Sequence, residues 1–175
     1  YACDGDVSCH SVCPPDDRCA PGFLCKSGAC VPKSGLGDLC TEGKTCGTGF
    51  CVDGACCGKD KCESGGTCAW PTKRGTCVKA NGTACTADAE CGSDHCIDGY
   101  CCESTCKGQC DACDVPGQLG KCIPVVGPPR GGRACTDGKP ARCEGERFTG
   151  ATACNGLGAC ITPDPKSCAP YACSD

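Results

Sequence analysis

Cys51-Val52-Asp53-Gly54-Ala55-Cys56-Cys57 returns 45 residues later as Cys96-Ile97-Asp98-Gly99-Tyr100-Cys101-Cys102, and the architecture follows from this segment. Asp-Gly between short residue pairs signals a two-residue type I′ hairpin, because glycine takes positive φ without strain. Val52 then faces Ala55, and Cys51 faces Cys56. Neighbours on a strand point to opposite faces, so Cys56 and Cys57 send their sulfurs in opposite directions. Adjacent Cα atoms, about 3.8 Å apart, fall short of the usual disulfide span. The doublet is therefore expected to staple the hairpin to two different loops.

Outward from the hairpin the same offset persists. Cys40, Cys46, Cys51, Cys56, Cys57, Cys68 and Cys77 recur as Cys85, Cys91, Cys96, Cys101, Cys102, Cys113 and Cys122. Cys62 is answered by Cys106, one residue out of register, and Cys110 has no counterpart in the first copy. A looser copy, Cys13, Cys19, Cys25 and Cys30, precedes them with one extra residue. A repeat of this length means that each unit is one small structural module. The expected organisation is an N-terminal cysteine-rich unit (1–36), two cysteine-rich repeats (37–81 and 82–126), and a Pro/Gly linker with a C-terminal cysteine-rich unit (127–175).

Composition says what holds these units together. Of 175 residues, 29 are Cys, 27 Gly and 13 Pro, whereas Leu, Ile, Val and Phe number only 19. That is too little apolar volume for an ordinary core. One Trp, three Tyr, three Phe and no Met cannot wall a dry pocket, so an enzyme is not expected. A chain this rich in Cys reads as a disulfide scaffold, which persists in oxidising compartments. The expected fold is small and disulfide-rich: tandem cystine-stapled units with short β-hairpins and loops, elongated, with little or no helix. The only weakly helical stretch is 86–90, where Thr86 is placed to cap a single turn. The spacing leaves the disulfide connectivity open.

A net charge of −4 gives no reason to expect nucleic acid or an anionic membrane surface. No apolar run approaches the roughly 20 residues of a spanning helix. Residues 1–30 lack the apolar core of a signal peptide, and the chain opens without Met, so it is read as a processed or excised segment. An odd cysteine count leaves one thiol over. Tyr171-Ala172-Cys173 repeats Tyr1-Ala2-Cys3, which makes Cys173 the expected inter-unit cysteine and suggests one period of a longer tandem array.

Asn81-Gly82-Thr83-Ala84-Cys85-Thr86-Ala87-Asp88-Ala89-Glu90-Cys91, then Ile97-Asp98-Gly99-Tyr100-Cys101-Cys102, then Gln109-Cys110-Asp111-Ala112-Cys113-Asp114-Val115-Pro116-Gly117 resemble the cysteine-rich repeats of large secreted proteins from myxobacteria and related bacteria. The first repeat departs from that pattern at Thr41-Glu42-Gly43-Lys44 and Trp70. The resemblance implies a secreted location and a tandem architecture, in which Cys168 to Cys173 leads into a further cysteine-rich stretch.

Other residues offer chemistry that competes with plainer roles. Cys110-Asp111-Ala112-Cys113 has redox or zinc spacing but lacks a second such pair, so no metal or cofactor is expected. Asp4 and Asp6, or Asp88, Asp94 and Asp98, carry oxygens suited to calcium without a loop signature, and turn roles are preferred. His10 and His95 have no nucleophile placed beside them by a motif. Trp70 either anchors a partner or fills its own unit. Asn81-Gly82-Thr83 is a glycosylation sequon. Gly127-Pro128-Pro129-Arg130-Gly131-Gly132-Arg133 reads as a solvated connector, with Arg130 and Arg133 as an alternative contact for acidic glycans.

The expected role is an extracellular structural or adhesive repeat protein, a unit of a surface fibre, filament or matrix. Its partners are then copies of itself or continuing repeats, with surface glycans a further possibility. The alternative is a secreted disulfide-rich binding module resembling inhibitors or Dickkopf-type receptor ligands, whose cysteine spacing around the hairpin looks similar.

Overall fold

The computed structural model describes residue 13 and residues 19–173. The chain divides into two compact units, Tyr1–Ala80 and Asn81–Asp175. Both are small disulfide-rich folds of short antiparallel hairpins, and the helical content of the described residues is two single 3₁₀ turns.

In the first unit, β1 (Phe23–Lys26) pairs with β2 (Ala29–Pro32), β3 (Cys51–Val52) with β4 (Ala55–Cys56), and β5 (Gly66–Thr67) with β6 (Val78–Lys79). Cys51 lies opposite Cys56 and Val52 opposite Ala55, the register dictated by the Asp-Gly turn. Asp53 and Gly54 both have positive φ, 53° and 79°, as a type I′ turn requires. Ser27 and Gly28 do the same for the first hairpin, at 52° and 83°.

The second unit repeats this plan and then departs from it. β7 (Cys96–Ile97) pairs with β8 (Tyr100–Cys101), and β9 (Asp111–Ala112) with β10 (Ile123–Pro124). There follow β11 (Val126–Gly127), the hairpin β12 (Arg142–Glu144) and β13 (Arg147–Thr149), then β14 (Ala153–Asn155), β15 (Cys160–Ile161) and β16 (Lys166–Ser167). They form two three-stranded sheets, β11-β14-β15 and β12-β13-β16. Residues 127–133 are thus no free connector, since Val126 and Gly127 pair with Asn155 and Cys154.

The 3₁₀ turn at Asp88–Glu90 falls where the sequence suggested one, but Thr86 does not cap it. Thr86 instead donates both its N–H and its hydroxyl to the Glu90 carboxylate. A matching turn at Gly43–Thr45 carries no sequence signal, because its first residue is glycine.

Sulfur occupies the interior. The largest fully buried side chains are all cysteines: Cys46, Cys56, Cys57 and Cys68 in one unit, Cys91, Cys101, Cys102, Cys110 and Cys113 in the other. The doublets act as expected, with Cys56 bonded to Cys46 and Cys57 to Cys68, and Cys101 to Cys91 and Cys102 to Cys113. Glycines close each repeat where two loops touch. A Cβ on Gly75 would lie 2.7 Å from the Gly37 nitrogen, and one on Gly120 would overlap the nitrogen of Gly82. These pairs are again 45 residues apart.

The connectivity left open by spacing follows one rule. Taken in order, four cysteines pair first with third and second with fourth: Cys13–Cys25 with Cys19–Cys30, Cys40–Cys51 with Cys46–Cys56, and Cys57–Cys68 with Cys62–Cys77. The second unit continues with Cys85–Cys96 and Cys91–Cys101, Cys102–Cys113 and Cys106–Cys122, and Cys110–Cys154 and Cys135–Cys160.

Candidate functional site

Cys110 is the cysteine that breaks the repeat, and it organises the most distinctive surface of the second unit. Its bridge to Cys154 ties β14 to the end of the β9–β10 hairpin, while Cys135–Cys160 draws the preceding loop against β15. The two bridges touch, with Cys110 Sγ 3.5 Å from Cys160 Sγ. Above them opens a cleft of about 450 Å³ lined by Gln109, Thr136, Asp137, Thr152, Ala159 and Thr162.

The polar lining is ordered by its own hydrogen bonds. Gln109 Oε1 accepts from the Thr136 N–H at 3.1 Å, and Gln109 Nε2 donates to Thr136 Oγ1. Thr152 Oγ1 accepts from the Lys139 N–H at 2.9 Å and lies 2.7 Å from Thr162 Oγ1. The Asp137 carboxylate has no partner among the described residues, and Asp137 is exposed.

A buried ion pair fixes the chain leading into this cleft. Arg133 Nη1 donates to Asp98 Oδ1 at 2.8 Å, and the two side chains are 17% and 4% exposed. Asp98 Oδ2 accepts from the Cys113 N–H at 2.9 Å, and Arg133 Nη2 donates to the Cys106 carbonyl at 3.2 Å. Burial of an ion pair requires such additional bonds. Arg130 pairs with Asp114 at 3.3 Å. Of the two arginines read as an alternative contact for acidic glycans, Arg133 is thus held inside as a clasp, and Arg130 stays partly exposed beside Asp114.

The remaining sequence candidates resolve as follows. Cys110 and Cys113 belong to different bridges, to Cys154 and Cys102, so the Cys-x-x-Cys spacing makes no dithiol site. The four sulfurs of Cys57, Cys62, Cys68 and Cys77 lie within 4.8 Å of one another, but as two disulfides. Asp88 Oδ1 accepts from the Cys96 N–H at 2.7 Å, and the Asp98 oxygens are taken up by the Cys113 N–H and Arg133. Trp70 and His95 are half-buried, and Asn81 is exposed. Asp4, Asp6 and His10 lie outside the described residues.

Cys173 is also corrected. It bonds to Cys143, and the free thiol among the described residues is Cys168, partly exposed. Cys168 follows β16, its N–H donating to the Glu146 carbonyl at 2.8 Å. It lies in sequence between the partners of the Cys143–Cys173 bridge, in the second place of the set that begins at Cys143. Parity showed that one cysteine stands over but carried no information about which.

Fold and framework together define a disulfide-rich β-hairpin domain of extracellular type, and no described helix is long and apolar enough to cross a membrane. Compared with family models, curated proteins and solved structures, the chain matches none.

Proposed function

We propose that the protein is an extracellular structural or adhesive repeat protein, a unit of a surface fibre, filament or matrix, which acts mechanically and without catalysis. One observation carries this reading. Every described cysteine except Cys168 is committed to a bridge within the chain, and Cys168 occupies the position that a crossing bridge uses in every other set. Its partner is then a cysteine of another copy or of continuing repeats, and the bond is a covalent joint between units. A scaffold whose interior is cystine keeps its form where burial of apolar surface contributes little. The resemblance to secreted myxobacterial tandem-repeat proteins supports the same role.

The test is electrophoresis and electron microscopy of native material. Non-reducing conditions should show a ladder that collapses on reduction, peptide mapping should recover Cys168 in a linkage between chains or between repeats, outside the thirteen described bridges, and filaments should show a regular axial repeat. Native material that is monomeric with Cys168 as free thiol sinks the proposal.

A further inference from the structure

From the chemistry of the cleft at the Cys135–Cys160 bridge we infer that it is a binding site for a neutral saccharide, an inference that rests on the adhesive reading above and gives it a ligand. The lining narrows the ligand class. It contains no aromatic ring and no large aliphatic side chain, so an apolar ligand would gain little by entering. It contains no base, and the unpaired Asp137 repels anions. Calcium takes six to eight oxygens, whereas this cleft offers one carboxylate, and the Gln109 and Thr152 oxygens already accept internal bonds.

A polyhydroxylated neutral ligand fits what is left. A hydroxyl both donates and accepts, and a carboxylate accepts from two adjacent hydroxyls. Asp137 therefore suits a vicinal diol, and the Thr136 and Thr162 hydroxyls supply groups that work in either direction. The internal bonds hold the Gln109, Thr136, Thr152 and Thr162 groups in place before the ligand arrives, which lowers the ordering cost of binding. Apart from Gln109, the cleft is also lined by the segment after residue 126, which does not repeat. Within the second unit the disulfide-stapled repeat 82–126 provides a rigid frame, and the loops fastened to it carry most of the polar site, as binding groups commonly do on loops held by a scaffold.

The experiment uses the full oxidised chain, titrated with neutral mono- and oligosaccharides of glucose, galactose, mannose and N-acetylglucosamine and followed by calorimetry or NMR. An open site should bind at least one of them with Kd on the order of 1 mM. Asp137→Ala should weaken that binding about tenfold or more, and Thr162→Val should weaken it severalfold, with the disulfide map unchanged in both. Absence of binding across the panel, binding indifferent to Asp137→Ala, or calcium binding in place of sugar overturns the inference. Material that forms Cys168-linked assemblies yet binds no saccharide defeats this inference alone. Saccharide binding by a chain that never cross-links defeats the fibre reading and leaves the site standing.

Discussion

Asp98 and Arg133, 35 residues apart, meet at 2.8 Å beneath the surface of the second unit, and their contact joins the Cys110–Cys154 bridge in tying the C-terminal segment to repeat 82–126. Asp53, the counterpart of Asp98 in the first repeat, is exposed. The same turn residue is thus a solvated turn in one copy and an anchor in the other.

Arg133→Ala should leave a carboxylate buried without its cation, at a cost of about 2–4 kcal/mol. Arg133→Lys should recover only part of it, since an ammonium cannot span Asp98 and the Cys106 carbonyl as a planar guanidinium does. Denaturant titration of the oxidised chain, with hydrogen exchange at the Cys113 amide, measures both. An Arg133→Ala variant as stable as the parent removes the clasp from the account.

The glycine contacts separate two costs. Gly120→Ala combines a positive φ of 81° with overlap on Gly82, whereas Gly99→Ala has the same φ of 81° and open space. Gly99→Ala should cost about 1 kcal/mol, and Gly120→Ala clearly more. Thermal melts of the two variants side by side decide it, and equal melting temperatures would falsify the loop contact as a structural requirement.

Joint replacement of Cys110 and Cys154 by Ser opens a loop spanning 44 residues. On the chain-entropy model this costs about 4 kcal/mol, less whatever the neighbouring bridges already restrict. The loss should appear as faster hydrogen exchange over residues 127–161, with residues 19–80 unchanged. The fully oxidised parent should melt above roughly 60 °C and lose its structure on reduction.

Cys168→Ser should leave the thirteen described bridges intact and abolish disulfide-linked multimers, whereas Cys173→Ser should expose Cys143 and scramble the products. Non-reducing electrophoresis with peptide mapping distinguishes the two, and multimers that persist in Cys168→Ser assign the joint elsewhere.

The hairpins were legible because a two-residue turn with Gly54 or Gly99 fixes register locally, and the Cys56-Cys57 doublet can only divide its sulfurs between loops. Connectivity was not, since four cysteines allow three pairings and spacing does not choose among them. Arg133 looked like a linker residue because its partner lies in another part of the chain, and a Pro/Gly context hides a tertiary ion pair. The cleft escaped notice for the same reason. Gln109, Thr136 and Thr162 are unremarkable polar residues until Cys110–Cys154 and Cys135–Cys160 bring them together. Cys168 rather than Cys173 stands over because Cys143 bonds to Cys173, a tertiary pairing that counting cysteines does not reveal.

Crossed bridges also set how the chain responds to being pulled. Tension applied between Cys40 and Cys77 passes through sulfur to Cys51, along the backbone to Cys62, and through sulfur again to Cys77. Residues 41–50 and 63–76 are shielded from it. Only the backbone from Cys51 to Cys62 can straighten, to a span of at most ~3.5 Å per residue, so covalent bonds bear the load well before the whole repeat is drawn out. The second repeat offers the same route through Cys85, Cys96, Cys106 and Cys122.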